Sequence, residues 1–181
     1  MHTWLYRGNA LFTAASTTLA GLCILATLTD LAHPSNPQIQ RPFVSVEGLQ
    51  KESGMDRAYL KLNLTADLSS LFTWNTKQAF IYVKAEWQTA SRPINQAVLW
   101  SHIAQNAREA VLELPHLHVQ YPYTLTDRGV DLLGQPFNVS VGWQTVPHAG
   151  ALFAGSRSFS GYQFSSERAP VPRYMPGRAW S

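Results

Sequence analysis

Ile81-Tyr-Val-Lys-Ala-Glu-Trp87 alternates apolar side chains with tyrosine, lysine and glutamate. A period of two puts Ile81, Val83, Ala85 and Trp87 on one face of a pleated strand and Tyr82, Lys84 and Glu86 on the other, so one face is buried and one is wet. The same period recurs on either side of it. Leu60, Leu62 and Leu64 alternate with Tyr59, Lys61 and Asn63, and Ala110, Leu112 and Leu114 with Glu109, Val111 and Glu113. Phe137, Val139, Val141 and Trp143 alternate with Asn138, Ser140, Gly142 and Gln144. Val44 to Leu49, Gln96 to Ile103 and Arg157 to Phe164 are further candidate strands, with turn chemistry at Ser91-Arg-Pro93, Asp127-Arg-Gly129 and Pro147-His-Ala-Gly150. About seven short strands punctuated by Gly and Pro predict an all-β domain, an antiparallel β-sandwich over residues 43–164. One break in the period is informative: Asp67 is placed to cap a single helical turn whose Leu68, Leu71 and Phe72 share a face, a lid over the end of the sandwich.

Toward the N-terminus the pattern changes. Gly8 to Thr29 carries no charge and is closed by Arg7 and Asp30. At ~1.5 Å per residue a helix of that length covers roughly 33 Å, close to the ~30 Å hydrocarbon thickness of a bilayer. The expectation is a single transmembrane helix over 10–31 after a short cytoplasmic N-terminus, 1–9. A cleavable signal has an apolar core of about 7–15 residues and small residues before the cut. Here the core is longer, and Thr29-Asp-Leu-Ala32 puts an aspartate where a small residue is wanted, so the span is expected to stay as an anchor. Arg7 before the span and Asp30 after it, with the next cation at Arg41, predict a single-pass type II orientation with the remainder outside or in a lumen. Ala14, Thr17, Thr18 and Gly21 share a helical face of small side chains on which another membrane helix can pack closely. Residues 32–42 hold three prolines and no apolar period, an extended linker of roughly 30 Å at full stretch. Residues 165–181 carry Arg168, Arg173 and Arg178 among three prolines and are expected to form a disordered tail.

Composition narrows the function. The formal charge is +3 and no cluster of Lys or Arg is denser than isolated residues, so nucleic acid is not an expected partner. The single cysteine, Cys23, lies inside the apolar run, which excludes a disulfide framework or a cysteine zinc ribbon in the remainder. No Gly-x-Ser-x-Gly elbow, His-Glu-x-x-His or phosphate loop occurs, and no catalytic residue, metal or cofactor is expected. A dispersed Ser/His/Asp site stays open, because such a site is defined by geometry and not by sequence position. His116-x-His118 puts two imidazoles on one strand face but lacks a third ligand nearby, a poor metal site. Two N-glycosylation sequons, Asn63-Leu-Thr65 and Asn138-Val-Ser140, fall on the polar sides of their strands. Asn138 is the stronger expectation, since Asn63 lies mid-strand and can fold away before modification. Trp87 and Trp143 fall on apolar strand faces and are assigned to the core, whereas Trp74, in a turn, is free to face a partner. Trp74 and Trp100 keep an alternative open, a membrane-anchored carbohydrate- or peptide-binding β-sandwich module.

Several segments carry a resemblance. Following the N-terminal anchor, Thr65-Ala-Asp-Leu68, Leu71-Phe-Thr-Trp-Asn-Thr-Lys-Gln78, Phe80-Ile-Tyr82, Ala85-Glu-Trp87, Asn95-Gln-Ala-Val-Leu-Trp100, and Asn138-Val-Ser-Val-Gly-Trp143 through Val146-Pro-His-Ala-Gly150 resemble, in order, the signal peptidase complex subunit 3 family. The resemblance runs from about Met1 to Phe164. It implies a non-catalytic, single-pass subunit in the endoplasmic-reticulum membrane, with a lumenal β-rich domain that carries a glycan at the position matched by Asn138. The implied partners are the catalytic serine-protease subunit that removes signal peptides from nascent proteins, the other small membrane subunits, and membrane lipid. Trp87 stands where that family usually has tyrosine, Ser101 where an aspartate often follows the tryptophan, and the Arg/Pro tail is unlike the family's end.

Overall fold

Leu60, Leu62 and Leu64 lie at the centre of the folded domain, on the strand that organises the first of its two sheets. A computed structural model describes residues 3–52, 54–89, 92–119, 125–128 and 132–168. Among these, one helix, α1 (Trp4–Leu31), precedes β1 (Gln38–Ile39), β2 (Phe43–Glu52), β3 (Met55–Asp67), a 3-10 turn (Ser69–Leu71), β4 (Thr76–Trp87), β5 (Asn95–Ala104), β6 (Val111–Val119), β7 (Leu125–Arg128), β8 (Pro136–Pro147) and β9 (Phe153–Gln163). All pairings are antiparallel, as expected for the sandwich. In the first sheet β3 is flanked on both sides: Leu60 pairs with Val46 and Val119, and Ala58 with Leu49 and Leu125. β1 and β2 therefore line one edge of β3 as a single interrupted strand, and β6 and β7 line the other. The second sheet runs β5-β4-β8-β9.

The period of two delivers the core. Ala58, Leu60, Leu62, Leu64 and Ala66 of β3 face Ile81, Val83, Ala85 and Trp87 of β4 and Phe137, Val139 and Val141 of β8 in one buried cluster. Each Leu, Ile, Val or Phe side chain among them contributes on the order of 1.5–3 kcal/mol when withdrawn from water. Of the two tryptophans assigned to the core, Trp87 is in it, whereas Trp143 packs half-buried against its margin. The helical turn expected after Asp67 is a 3-10 turn, with Leu68 and Leu71 buried beneath it. The Asp67 carboxylate accepts the Ser69 amide at 2.9 Å, and hydrogen bonds from Ser69, side chain first and backbone second, hold its pKa below the usual carboxylate value.

α1 has 28 residues, none of them buried, and is long and apolar enough to cross a membrane. The helix begins at Trp4, so its backbone ladder extends N-terminal to the uncharged run through Tyr6 and Arg7. Part of the stretch 32–42, expected as an extended linker, is docked on the sandwich. Ile39 and Pro42 are buried, and Gln38–Ile39 pair with β3. Arg41 donates from Nη2 to the Ser160 carbonyl at 2.6 Å and lies 5.0 Å over the Tyr162 ring, while Tyr162 donates its hydroxyl to the Pro42 carbonyl. Prolines that fix extended backbone here serve to lay the chain along the sandwich instead of spacing it away. Of the stretch expected as a tail, residues 169–181 lie outside the described residues, and Arg168 reaches back to the Asp56 carboxylate at 3.4 Å. Ser91 and Gly129, from two of the expected turns, also lie outside them.

Candidate functional site

The end of α1 is locked to two loops of the sandwich. Asp30, the charge that closes the apolar run, accepts from the Thr73 hydroxyl at 2.9 Å and from Asn75 Nδ2 at 2.7 Å. Asn75 is 1% exposed and serves both loops: its Nδ2 also donates to the Ala149 carbonyl at 2.8 Å, while its Oδ1 accepts the Ala149 amide and its carbonyl the His148 amide. Lower on the helix, Thr27 Oγ1 accepts the Ala151 amide at 3.3 Å. Gly150 lies against the same hydroxyl with φ +104, so a Cβ there would collide with Thr27 and sit 3.4 Å from the Cys23 carbonyl. A buried, fully engaged carboxamide of this kind contributes through what its loss would orphan: a buried polar group left unpaired costs about 1–3 kcal/mol. Beyond the helix, the Asn36 amide donates to Ser70 Oγ and the His33 ring lies 3.3 Å from the Ser70 carbonyl. A cavity of about 270 Å³ opens beside this junction, lined by Asp30, His33, Leu71, Thr73, Trp143 and Phe153 among others.

The two sequon asparagines fall into different settings. Asn138 is exposed on the outer face of the second sheet, paired with Glu86 of β4, so its carboxamide points into open space. Its sequon partner Ser140 is buried, with Oγ 2.8 Å from Ser158 Oγ. Asn63 is half-buried, and its Oδ1 accepts the His116 amide at 2.9 Å. The β3–β6 register shifts at that point, and His116 adopts φ 58, a left-handed conformation that a non-glycine residue takes at a cost. Asn63 thus stands in for the missing ladder partner at a bulge. His116 is committed to this bulge, and the side chain of His118 is outside the described set. Among the described residues no three His, Cys, Asp or Glu side chains are grouped to hold a metal.

Trp74 is 73% exposed at the tip of the β3–β4 loop, as its place in a turn predicted, and Trp100 is half-buried with its ring stacked on His102. Among the described residues, β5 and β9 are the edge strands of the second sheet. β5 presents Val98 and Ile103 outward, both exposed, whereas the β9 carbonyl of Ser160 is already taken by Arg41. Sequence reasoning missed the Asn75 hub, because its partners lie 45 and 74 residues away along the chain. The only sequence signal for it was Asp30, a lone carboxylate set directly at the end of an apolar helix.

The sequence model of a family described as "signal peptidase subunit" matches residues 1–167. Signal peptidase complex subunit 3 of Drosophila melanogaster is 33% identical over 162 residues, covering 84% of this chain and 88% of that protein. The Homo sapiens protein of the same name is 30% identical over 161 residues, at 84% and 87% coverage. A Mus musculus protein named adipocyte-related X-chromosome expressed sequence 1 is 34% identical over 161 residues, at 84% and 87% coverage.

Proposed function

The chain belongs to the signal peptidase subunit family and is an accessory subunit of the signal peptidase complex; from that premise we propose that it acts without catalytic groups of its own, as a rigid post for the protease subunit. α1 anchors the chain in the endoplasmic-reticulum membrane with Arg7 on the cytoplasmic side, and the sandwich stands in the lumen with a glycan on Asn138. The observation that carries this reading is the Asp30–Asn75–Ala149 network: it ties the end of the membrane helix to two loops, so that a partner bound to the sandwich is held at a set height above the bilayer. Such a post suits a serine protease whose substrates emerge from the membrane. β5 is the docking edge. An exposed edge strand bearing apolar side chains is a template for strand addition, and the β9 edge is partly occupied by the chain's own Arg41.

The test is co-purification of the tagged full chain in mild detergent. Charges on the β5 edge, Val98→Lys with Ile103→Lys, are expected to release the serine-protease subunit without shifting the thermal unfolding of this chain, while Ser156→Glu on β9 retains it. Retention by both variants would remove the edge-docking reading. Glycosidase treatment is expected to change the gel mobility of the wild-type chain and of Asn63→Gln but not of Asn138→Gln.

A further inference from the structure

We infer that the loop tips Thr73–Asn75 and His148–Leu152 form a foot that rests in the interfacial layer of the bilayer beside α1, with Trp74 and Leu152 as its lipid-facing side chains. The inference rests on α1 being a membrane span. Its starting point is depth. Gly150 packs against Thr27 and the Cys23 carbonyl, and the Ala151 amide bonds Thr27 Oγ1. Both helix residues belong to the uncharged run, and Cys23 lies about 10 Å of helix below Asp30 at ~1.5 Å per residue. The run, at roughly 33 Å, exceeds the ~30 Å hydrocarbon layer only slightly, so a loop alongside Cys23 and Thr27 is at the level where lipid begins.

The loops have the chemistry that this level demands. Neither Thr73-Trp-Asn75 nor His148-Ala-Gly-Ala-Leu152 contains Asp, Glu, Lys or Arg. Trp74 is 73% exposed and Leu152 57% exposed, an unusual display for a water-facing turn but the expected one for an interfacial anchor, where an indole is favoured. The backbone is the independent observation. In lipid an irregular segment is tolerated only when protein groups satisfy its amides and carbonyls. Here the His148 amide bonds the Asn75 carbonyl at 2.7 Å, the Ala149 amide and carbonyl bond the Asn75 carboxamide, and the Ala151 amide bonds Thr27. Gly150, Ala151 and Leu152 are exposed, so water could have served a loop in solution at no structural cost. Continuity with the helix settles the occupant as lipid, since the bilayer that surrounds Cys23 and Thr27 also meets whatever packs on them.

Site-directed spin labels test this in the full chain with Cys23→Ala, reconstituted alone in phosphatidylcholine nanodiscs. Labels are placed by Trp74→Cys, Leu152→Cys, Leu19→Cys in mid-span and Ile94→Cys, an exposed residue between β4 and β5. The ratio of oxygen to nickel-chelate collisions is expected to be several-fold higher at 74 and 152 than at 94, and highest at 19. Quenching by brominated lipid should also fall in Trp74→Phe relative to the unlabelled wild-type chain. If 74 and 152 match 94 while 19 remains lipid-exposed, the foot is overturned and the membrane span stands. If 19 is also aqueous, both fall. A label at 152 that is aqueous in the chain alone and shielded from both reagents only after complex assembly assigns the foot to a protein partner and overturns the proposal.

Discussion

Asn75 shows how much of this architecture rests on single polar side chains. Three of its hydrogen bonds reach Asp30 and the backbone of Ala149, and its own carbonyl holds His148. Asn75→Ala leaves Asp30 and the Ala149 carbonyl without their strongest partner, and an orphaned, partly buried polar group costs about 1–3 kcal/mol. The expected outcome is a lower unfolding midpoint in detergent together with faster proteolysis between His33 and Pro37. An unchanged midpoint would show that the junction is held elsewhere. Two titrating groups contribute at opposite ends of the pH range. Asp67 has a lowered pKa, held down by its hydrogen bonds with Ser69, so its contribution is present above the ordinary carboxylate range and is lost on acidification. Tyr162 has a raised pKa, from burial opposed by Arg41, so its contribution is present below about 10 and lost as pH climbs through the alkaline range. Asp67→Asn should therefore flatten the acid side of the stability profile and Tyr162→Phe the alkaline side, each leaving the other limb unchanged when unfolding is followed from pH 3 to 11.

At the scale of elements, what the sequence makes legible is whatever obeys one period. β3 and β4 were readable because each alternates cleanly and sits inside its sheet, and β8 was readable from its apolar row Phe137, Val139 and Val141 even though Ser140 and Gly142 on its other face are buried too. β7 was missed for a physical reason: Asp127 points inward opposite Asp56, where it accepts the Trp87 indole N–H at 3.2 Å, and a buried carboxylate looks like a turn residue. β1 was hidden among prolines, with only Ile39 to mark it. The junction was illegible because Asn75 is a plausible turn residue on its own and acquires meaning only beside Asp30 and Ala149. Asn138 was legible as a surface site from alternation alone, whereas the duty of Asn63 depends on a bulge no local pattern announces. That bulge is testable. His116→Gly removes a left-handed strain of about 1–2 kcal/mol at the entropic cost of glycine, roughly 0.5–1 kcal/mol, so its unfolding midpoint should stay level or rise slightly. Asn63→Ala withdraws the acceptor from the His116 amide, which water partly replaces, and should lower stability by about 0.5–1.5 kcal/mol. A destabilised His116→Gly would mean that the imidazole itself, and not the bulge, matters.

Among the described residues, the helix clamp, the docked strap from Gln38 to Pro42 and the two sheets are tied together by hydrogen bonds. A glycan on Asn138 would cover the outer face of the second sheet near the end away from the helix, because Asn138 pairs with Glu86 close to the β4–β5 loop, far from Thr76 and Pro147 at the junction. Protein partners are then left with the sheet edges and the outer face of the first sheet. Sugars can be used as wedges to choose among these. Ser156→Asn creates Asn-Arg-Ser158 on β9, facing outward opposite Gly142, and Gln96→Asn with Val98→Thr creates a sequon on the outer side of β5. Both wedges are of equal bulk, both lie on the same sheet, and gel mobility reports whether each is occupied. If β5 is the docking edge, an occupied wedge there should abolish co-purification of the protease subunit while the β9 wedge leaves it intact. The reverse pattern would move the interface to β9, and loss of the protease from neither would hand it to the first sheet, around exposed Phe43 and the row Tyr59, Lys61 and Thr65.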